Sequence, residues 1–284
     1  MDKLLKTVTY RATSQLATPG FLIKHMLSDL VSSRFVAYRL FVRDIRAKYR
    51  QTLLGYVWAF IPSVVVAYGL VAASNANIVT ISDTDLPYAA YVMLSMVLWQ
   101  TFLEAFNAPL NAISESKAML AKINFPRESL VLAKVMEVFF NFGVKLVLVA
   151  LLYIFYEMPF TWKAVFAFFG VFQLVMLGTF LGLLIAPLGG VYQDVSKGVA
   201  VITTAWFFIT PVIYPVPSGG AFASLVSLNP VTPLLVTTRE LATTGALSNF
   251  SGFVLVSIVS VVGLLITWIT FRLAIPYVIE RMPS

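Results

Sequence analysis

Long apolar runs alternate with short polar stretches along most of the chain after residue 54. A helix needs about 20 mostly apolar residues to cross a bilayer, because it rises only about 1.5 Å per residue. Six runs approach or exceed that length, so the pattern predicts an all-α integral membrane protein with six transmembrane helices. The predicted spans cover approximately residues 55–74, 87–112, 134–156, 163–188, 197–214 and 250–276.

Lysine and arginine are distributed unequally among the segments that connect these spans. Ten of them lie in residues 1–54, whereas the connection between the first two spans has none. The next connection is basic again, and the one after it has no Lys or Arg except Lys163 at its far edge. Because cytoplasmic loops carry the excess of these residues, we predict that both termini of the six-span protein lie in the cytoplasm.

The segment between the fifth and sixth predicted spans, residues 215–249, is apolar for much of its length but too short to cross the membrane twice. Pro and Gly divide it into short pieces around residues 221–228 and 232–242. It is either a plain periplasmic loop or a re-entrant pair of short helices that dips into the outer leaflet. We expect the re-entrant pair, whose backbone must then be buried in protein or line a cavity.

A basic amphipathic segment, residues 34–54, precedes the first span and follows an N-terminal extension of residues 1–33. On a helix at about 100° per residue, its apolar side chains from Tyr38 to Leu53 fall within a sector of about 120°. Its arginines fall within a neighbouring sector of about 60°. The pattern predicts an interface helix, which either anchors the chain to anionic lipid or receives a phosphorylated lipid headgroup. The headgroup candidates are Arg39, Arg43, Arg46 and Arg50.

Composition narrows the class of protein further. The 284 residues are 59% hydrophobic and only 12% charged, about half the charge of a soluble domain, and the mean hydropathy is +0.87. The net charge of +7 could indicate nucleic acid, but membrane topology explains it better, and we expect no nucleic-acid partner. With no cysteine and a single histidine, the chain offers no disulfide framework, and we expect no metal site.

Three ionisable residues lie within predicted spans, and such groups are candidates for function. They are Glu104, Glu137 and Lys145. Counted along their helices, Glu104 and Lys145 lie roughly 10 and 16 Å from the cytoplasmic side, so their side chains could meet across adjacent helices. The pair is then either structural, with the lysine able to extend toward the interface, or a substrate contact. These groups are too few, without a histidine, to favour a proton relay.

Aromatic residues make up 14% of the chain. Most of them are expected in the core, against lipid, or in the interfacial belts at span ends. A passage for sugars would also use aromatic rings, because the C–H faces of sugars pack on them without a fixed register. The candidates for lining such a passage are Tyr56, Trp58, Trp99, Phe102, Trp206, Phe207 and Tyr214.

Four stretches of the chain, in order, resemble one family. The stretch "RDIRAKYRQTLLGYVWAFIPS" begins at Arg43, "KAMLAKINFPRESLVLAKV" at Lys117, "TPVIYPVP" at Thr210 and "NPVTPLLVTTRE" at Asn229. Together they resemble the ABC-2 type permeases that export bacterial surface polysaccharides, namely O-antigen, capsular polysaccharide and teichoic acid. The first two stretches are fairly specific, and the resemblance covers nearly all of the chain after about Arg34. It implies nothing about the extension.

The resemblance implies a homodimer with a translocation path between the two permeases and two separate ATPase subunits below them. It also implies two short periplasmic gate helices between spans five and six. ATP and Mg²⁺ would bind the ATPase, because this chain contains no G-x-x-x-x-G-K-[ST] phosphate loop; we expect no cofactor and no catalytic residues here. By resemblance, the ATPase docks on the loop after span two. The residues expected to form this coupling loop are Ser114, Lys117, Leu120, Lys122, Phe125, Pro126 and Arg127.

The function that the resemblance implies is transport and not enzymatic catalysis. The chain would be a multi-pass permease of the bacterial cytoplasmic (inner) membrane that exports a polyprenyl-pyrophosphate-linked polysaccharide. One alternative is an ABC-2 permease for a drug or a small lipid. Another is a membrane enzyme acting on polyprenyl-linked sugars, which would need a cytoplasmic pair of acidic residues. Only Asp194 is present in the corresponding loop, so the enzyme is the weakest alternative.

Overall fold

The computed structural model describes residues 19–50, 52, 55–76, 86–116, 119–120, 125–158 and 161–281. Within these ranges the chain forms nine α-helices and one short 3₁₀ segment, Gly55–Ala59, and it has no strands. The helices are α1 (Pro19–Arg50), α2 (Ile61–Asn75), α3 (Tyr88–Glu115), α4 (Glu128–Phe155), α5 (Ala164–Val191), α6 (Gln193–Ile209), α7 (Ala221–Leu228), α8 (Val231–Ala242) and α9 (Phe250–Arg281). The prediction of an all-helical protein is confirmed.

Four of these helices, α3, α4, α5 and α9, are long and apolar enough to cross a membrane. The α7–α8 pair, which is bent by 82°, would be a fifth if it counts as one span. The chain is therefore a multi-pass membrane protein, but the six predicted spans are not confirmed. The helices within the first and fifth predicted spans are not among the four that are long and apolar enough to cross a membrane.

Local chemistry shortens both of those segments. The first predicted span is divided by the 3₁₀ segment, which starts at Gly55 with a φ of +50°, so that α2 has only 15 residues. Pro62 fits at the start of α2, because the first turn of a helix needs no donor there. In the fifth predicted span, α6 ends at Ile209, just before Pro211. Proline cannot continue a helical hydrogen-bond ladder, and it biases the residue before it away from helical geometry.

The centre of the fold is the contact between α3 and α5. Most side chains of α3 are buried, and two glycines of α5 allow the two backbones to touch. A Cβ atom on Gly182 would lie 2.2 Å from the carbonyl oxygen of Phe106, and one on Gly178 would lie 2.8 Å from that of Phe102. The two glycines form a G-x-x-x-G spacing, which is typical of close helix packing in membranes. This contact was not predicted, although the spacing of the two glycines is visible in the sequence.

Helix α1 is longer than the predicted interface segment, because it starts at Pro19, inside the predicted extension. Residues 1–18 of that extension lie outside the described residues. Arg272 of α9 holds α1 by an ion pair with Asp29, and it also pairs with Glu128 of α4 at 3.0 Å. On the predicted apolar face of α1, Ile45 is buried and Phe41 packs on Phe140 of α4. Leu53 lies outside the described residues.

Candidate functional site

A cavity of about 1060 Å³ opens between α1, the 3₁₀ segment, α2, α3 and α4. We call it the polar cavity, because hydrogen-bonding side chains from three helices line it. These are Asp44, Lys48, Tyr49, Gln100, Glu104, Asn107, Asn111, Glu115, Lys134, Glu137 and Asn141. Trp58, from the 3₁₀ segment, also lines the cavity. Of the three predicted intramembrane charges, Glu104 and Glu137 therefore border one space.

An ionic network centred on Lys134 crosses one part of this cavity. The Lys134 ammonium lies 2.6 Å from a Glu115 carboxylate oxygen, 3.2 Å from Glu137 and 3.3 Å from Asp44. Lys48 of α1 reaches the other oxygen of Glu137 at 2.8 Å. Burial lowers the pKa of Lys48, but its hydrogen bond with Glu137 and their Coulombic attraction outweigh this effect. The pKa is therefore raised above its ordinary value of 10.5. The network joins α1, α3 and α4.

A second chain of contacts leads from the cavity into the protein. The Tyr49 hydroxyl donates to Asn141 at 3.2 Å, and the Asn141 amide donates to Glu104 at 3.0 Å. The other oxygen of Glu104 accepts from Lys145 at 2.6 Å, and the Lys145 side chain is fully buried. The contact expected between Glu104 and Lys145 is thus present. Both carboxylate oxygens of Glu104 therefore accept a hydrogen bond from a side chain of this chain.

The polar cavity is close to electrically balanced. Four carboxylates line it, those of Asp44, Glu104, Glu115 and Glu137. They pair with four cations of this chain, namely the guanidinium of Arg43 and the ammonium groups of Lys48, Lys134 and Lys145. In formal charges, the four carboxylates and the four cations balance. Each of these ammonium groups lies within hydrogen-bonding distance of at least one carboxylate, as the burial of charge requires.

A second site lies on the adjacent face of α1, where four exposed arginines line an open groove of about 420 Å³. We call it the arginine surface; its arginines are Arg39, Arg43, Arg46 and Arg50. The predicted gathering of these side chains on one side of the helix is therefore present. Arg43 pairs with Asp44 at 2.8 Å, and among the described residues no salt bridge involves the other three. Ala47 borders both the arginine surface and the polar cavity.

The seven aromatic candidates occupy different environments. Tyr56 and Trp58 of the 3₁₀ segment are exposed, and Trp58 faces the polar cavity. Trp99 and Phe102 of α3 are enclosed by protein, with ring centroids 5.4 Å apart. The remaining three are half-buried at or beyond the end of α6; they are Trp206, Phe207 and Tyr214.

The enclosed aromatic rings form one cluster between α3 and α6. The Trp206 ring lies 5.4 Å from Phe102, and the Phe207 ring lies 5.9 Å from Trp99. Tyr214 donates its hydroxyl to the carbonyl of Phe208. Within this chain, Trp99 and Phe102 thus pack helix against helix and present almost no surface to a passing sugar.

The predicted coupling loop is described only in part, because Lys117 and Lys122 lie outside the described residues. Ser114 is exposed near the end of α3, whereas Leu120 is buried in a cluster with side chains of α1 and α9. Phe125 packs on the same cluster. The last two predicted members, Pro126 and Arg127, are half-buried just before α4, where Pro126 accepts a hydrogen bond from Ser129 at 2.6 Å. The described part of the loop therefore packs on α1, the helix that carries the arginine surface, and on α9.

At the opposite end of α3, α7 and α8 meet at Asn229. The Asn229 amide donates to Thr210 at 2.9 Å and accepts from Trp206 at 2.8 Å and from the backbone of Val231 at 3.0 Å. Nearly every residue of α8 is buried, whereas α7 is mostly exposed. The predicted pair of short helices at residues 215–249 is therefore present as a sharply bent pair.

Arg239 of α8 is a buried cation that was not among the residues predicted from the sequence. Its guanidinium donates to the hydroxyl of Ser95 at 2.9 Å and to the carbonyl of Pro211 at 3.1 Å. It also lies 4.0 Å from the centre of the Tyr91 ring, a cation–π distance. A single arginine within an otherwise apolar stretch was the signal that could have identified it.

Comparison with known proteins assigns the chain to a family. The family described as "ABC-2 type transporter" matches residues 37–243, which is most of the chain, so the chain belongs to this family. The resemblance found in the sequence is thereby confirmed. Membership makes the chain a membrane-embedded transport subunit and not an enzyme.

Individual relatives agree with the family over most of their length. The chain is 28% identical to the "O-antigen export system permease protein RfbA" of Myxococcus xanthus over 221 residues, covering 74% of this chain and 81% of the relative. It is 21% and 22% identical to two proteins of the same description from Klebsiella pneumoniae, each over 79% of this chain and 85% of the relative. Their described activity is the export of O-antigen.

Proposed function

We propose that this chain is the permease subunit of an ATP-driven exporter that moves a polyprenyl-pyrophosphate-linked polysaccharide of the O-antigen class across the bacterial cytoplasmic membrane. The observation that carries the proposal is its similarity, over about three-quarters of its length, to permeases described as O-antigen exporters. The arginine surface supports it, because exposed guanidinium groups on a helix next to the membrane fit the oxygens of a pyrophosphate. General attraction to anionic lipid is the competing role of the same residues.

An ABC-2 permease of an export system implies an ATPase partner. We place the docking of this partner at the coupling loop from Ser114 to Arg127. Support comes from Leu120 and Phe125, which link the loop to α1 and α9 through one apolar cluster. Force applied to the loop would then reach the helix that carries the arginine surface. Two ATPase subunits and a homodimer of this permease, with ATP and Mg²⁺ on the ATPase, complete the proposed assembly.

The direction of transport follows from the proposed orientation. The cationic α1 end of the bundle faces the cytoplasm, in line with the positive-inside rule. Residues of α3 from Tyr91 to Glu115 separate the α8 end from the α1 end, a distance of about 36 Å along the helix. The bent α7–α8 pair then lies at the periplasmic side, where we assign it the role of a gate. Its buried second helix and exposed first helix suit an element that is anchored at one end.

Deletion of the gene from the source bacterium tests the proposed function. We expect the surface polysaccharide to disappear from the cell envelope while its lipid-linked precursor accumulates inside, and we expect a plasmid copy of the gene to restore export. Purification of the tagged permease should retain an ATPase subunit. Normal surface polysaccharide in the deletion strain would contradict the proposal. Altered drug resistance or lipid composition with normal polysaccharide would instead support a permease for a drug or a small lipid.

A further inference from the structure

Four polar side chains of α3 form one stripe along the wall of the polar cavity. Gln100, Glu104, Asn107 and Asn111 follow the i, i+4, i+7, i+11 spacing of a single helix face, and all four line the cavity. The stripe is about 17 Å long at 1.5 Å per residue. Three of its four members are neutral amides. An apolar helix exposes such a row only where something polar lies beside it.

The charged groups of the cavity have partners within the chain, but the amides retain unused capacity. Lys134 and Lys48 face carboxylates, and both oxygens of Glu104 accept hydrogen bonds from Asn141 and Lys145. The amide nitrogen of Gln100, in contrast, is buried and has no hydrogen-bond partner among the described residues. A buried donor without a partner costs free energy unless a ligand or water accepts from it. The open hydrogen-bonding positions are thus those of neutral groups that can both donate and accept.

An aromatic ring lines the same cavity as this stripe. Trp58 is 56% exposed in this chain and lines the same cavity as the amides. A ring and a row of carboxamides together match the two surfaces of a sugar, whose C–H face packs on aromatic rings and whose hydroxyl groups exchange hydrogen bonds with amides. The volume of about 1060 Å³ is at the upper end of ligand-binding cavities, about 300–1,000 Å³, and it accommodates more than one sugar ring.

The balance of charge excludes the other part of the proposed substrate from the cavity. The cations of the cavity are already paired with its carboxylates and leave none free for a pyrophosphate. On the arginine surface, Arg39, Arg46 and Arg50 have no carboxylate partner among the described residues, so this surface attracts the anion. We propose that the polar cavity is a binding subsite for uncharged sugar residues of the glycan, next to a separate headgroup site on the arginine surface. This inference rests on the proposed function. The two sites adjoin at Ala47, so one lipid-linked molecule can occupy both.

The absence of cysteine from the chain makes the subsite directly testable. In Asn107→Cys and Asn111→Cys variants, the introduced thiol is the only one in the chain, and its reaction with a membrane-permeant maleimide reports access to the cavity. Lys197→Cys is the matched control, because Lys197 on α6 is 81% exposed and lies outside the cavity. Each variant is compared in cells that assemble the lipid-linked glycan and in cells blocked in its first glycosyl-transfer step. Both kinds of cell contain the polyprenyl phosphate carriers.

We expect maleimide labelling of Asn107→Cys and Asn111→Cys to fall several-fold when the glycan is made, while Lys197→Cys labels equally in both cells. Equal labelling at both cavity positions overturns the subsite. If the deletion strain loses export but the cavity thiols show no protection, the proposed function stands and the subsite fails. If export does not depend on the chain, both fail. Asn111 is included because its side chain is exposed, so that its replacement by cysteine should disturb the packing of the protein little.

A second experiment separates sugar contact from a structural role of the ring. Trp58→Phe retains an aromatic face, whereas Trp58→Leu is apolar without one. We expect export in cells to stay near that of the unaltered chain for Trp58→Phe and to fall several-fold for Trp58→Leu, at equal amounts of membrane-inserted permease and bound ATPase. Equal export by the two variants would overturn the assignment of Trp58 to the subsite.

Discussion

The polar cavity and the arginine surface share helix α1 and adjoin at Ala47, yet they hold their charges in different ways. In the cavity, every ammonium group lies within 3.5 Å of a carboxylate from another residue of this chain. On the arginine surface, Arg43 alone has such a carboxylate among the described residues. Charges that are already neutralised by the protein hold helices together, whereas charges left exposed are available to an anion from outside. Two faces of one helix thus differ in the use of charge: the paired charges of the cavity are structural, whereas those of the arginine surface are available to bind an anion.

The largest effect should come from removing charge from the arginine surface. Arg43→Gln, Arg46→Gln and Arg50→Gln together should weaken headgroup binding by ~3 kcal/mol, at about 1 kcal/mol per basic residue near the membrane, or on the order of 100-fold. We expect export to be abolished in cells. The free energy of unfolding should change by no more than about 0.5 kcal/mol, because exposed side chains away from packing contacts contribute little.

The matched control for this triple variant replaces the same arginines by lysine. Lysine keeps the positive charge but not the fork that binds two phosphate oxygens at once. Loss of export with lysine indicates a pyrophosphate clamp, whereas retained export indicates general attraction to anionic lipid. Normal export in the glutamine variant would show that the arginine surface receives no headgroup. Assembly with the ATPase, measured by co-purification, should survive in both.

The next effect concerns the deepest pair of the cavity. Glu104→Leu leaves the fully buried ammonium of Lys145 without its carboxylate. Breaking a buried pair in this way costs about 3–5 kcal/mol, and the partial exposure of Glu104 reduces this to ~2–3 kcal/mol. Thermal unfolding of the purified permease in detergent measures the loss. The double variant Glu104→Leu with Lys145→Met removes both charges, so it should recover most of the lost free energy of unfolding. A double variant no more stable than the single variant would argue against pairing.

A smaller loss is expected at the centre of the ionic network. Lys134→Met leaves three carboxylates facing one another without their shared ammonium. We expect the free energy of unfolding to fall by ~1–2 kcal/mol. Hydrogen bonds to charged groups are worth about 1.5–3 kcal/mol, and the partial exposure of Glu115 reduces this value. The matched control is Lys197→Met, which breaks an exposed pair with Asp194 and should cost less than about 0.5 kcal/mol. Equal unfolding temperatures for the two variants would contradict the claim that charges of the cavity stabilise the fold more than exposed charges do.

The smallest effect concerns pH. The pKa of Lys48 is raised above 10.5 in the folded protein, so the stability that it contributes is fully present below its unfolded pKa and is lost only as pH rises through the folded value. Between about pH 6 and about pH 9, the Lys48–Glu137 pair should therefore add no pH dependence to unfolding. The difference in unfolding free energy between Lys48→Met and the unaltered chain, measured over this pH range, tests this expectation. A difference in stability that shrinks steadily toward pH 9 would contradict the raised pKa.

Sequence patterns predicted those features that depend on one helix at a time. Hydropathy located α3, α4, α5 and α9, and angular spacing gathered the arginines of α1 on one face. Counting depth along two helices even anticipated the contact of Glu104 with Lys145. Features that depend on how helices pack were missed or misjudged. The amides of α3 became a recognisable stripe only when α1 and α4 enclosed a cavity beside them. The division of the first predicted span at Ala59–Ile61 likewise follows from local geometry that hydropathy does not report.

Helix α3 carries both the sugar-facing amides and, less than two turns before the first of them, the contacts of Arg239 with Ser95. Gln100 lines the polar cavity, whereas Ser95 and Tyr91, only a few residues earlier, hold the guanidinium of α8. Because a continuous helix transmits rotation along its whole length, any turn of α3 imposed at the cavity must also displace the partners of Arg239. Occupation of the cavity and the packing of the bent α7–α8 pair are therefore coupled through α3.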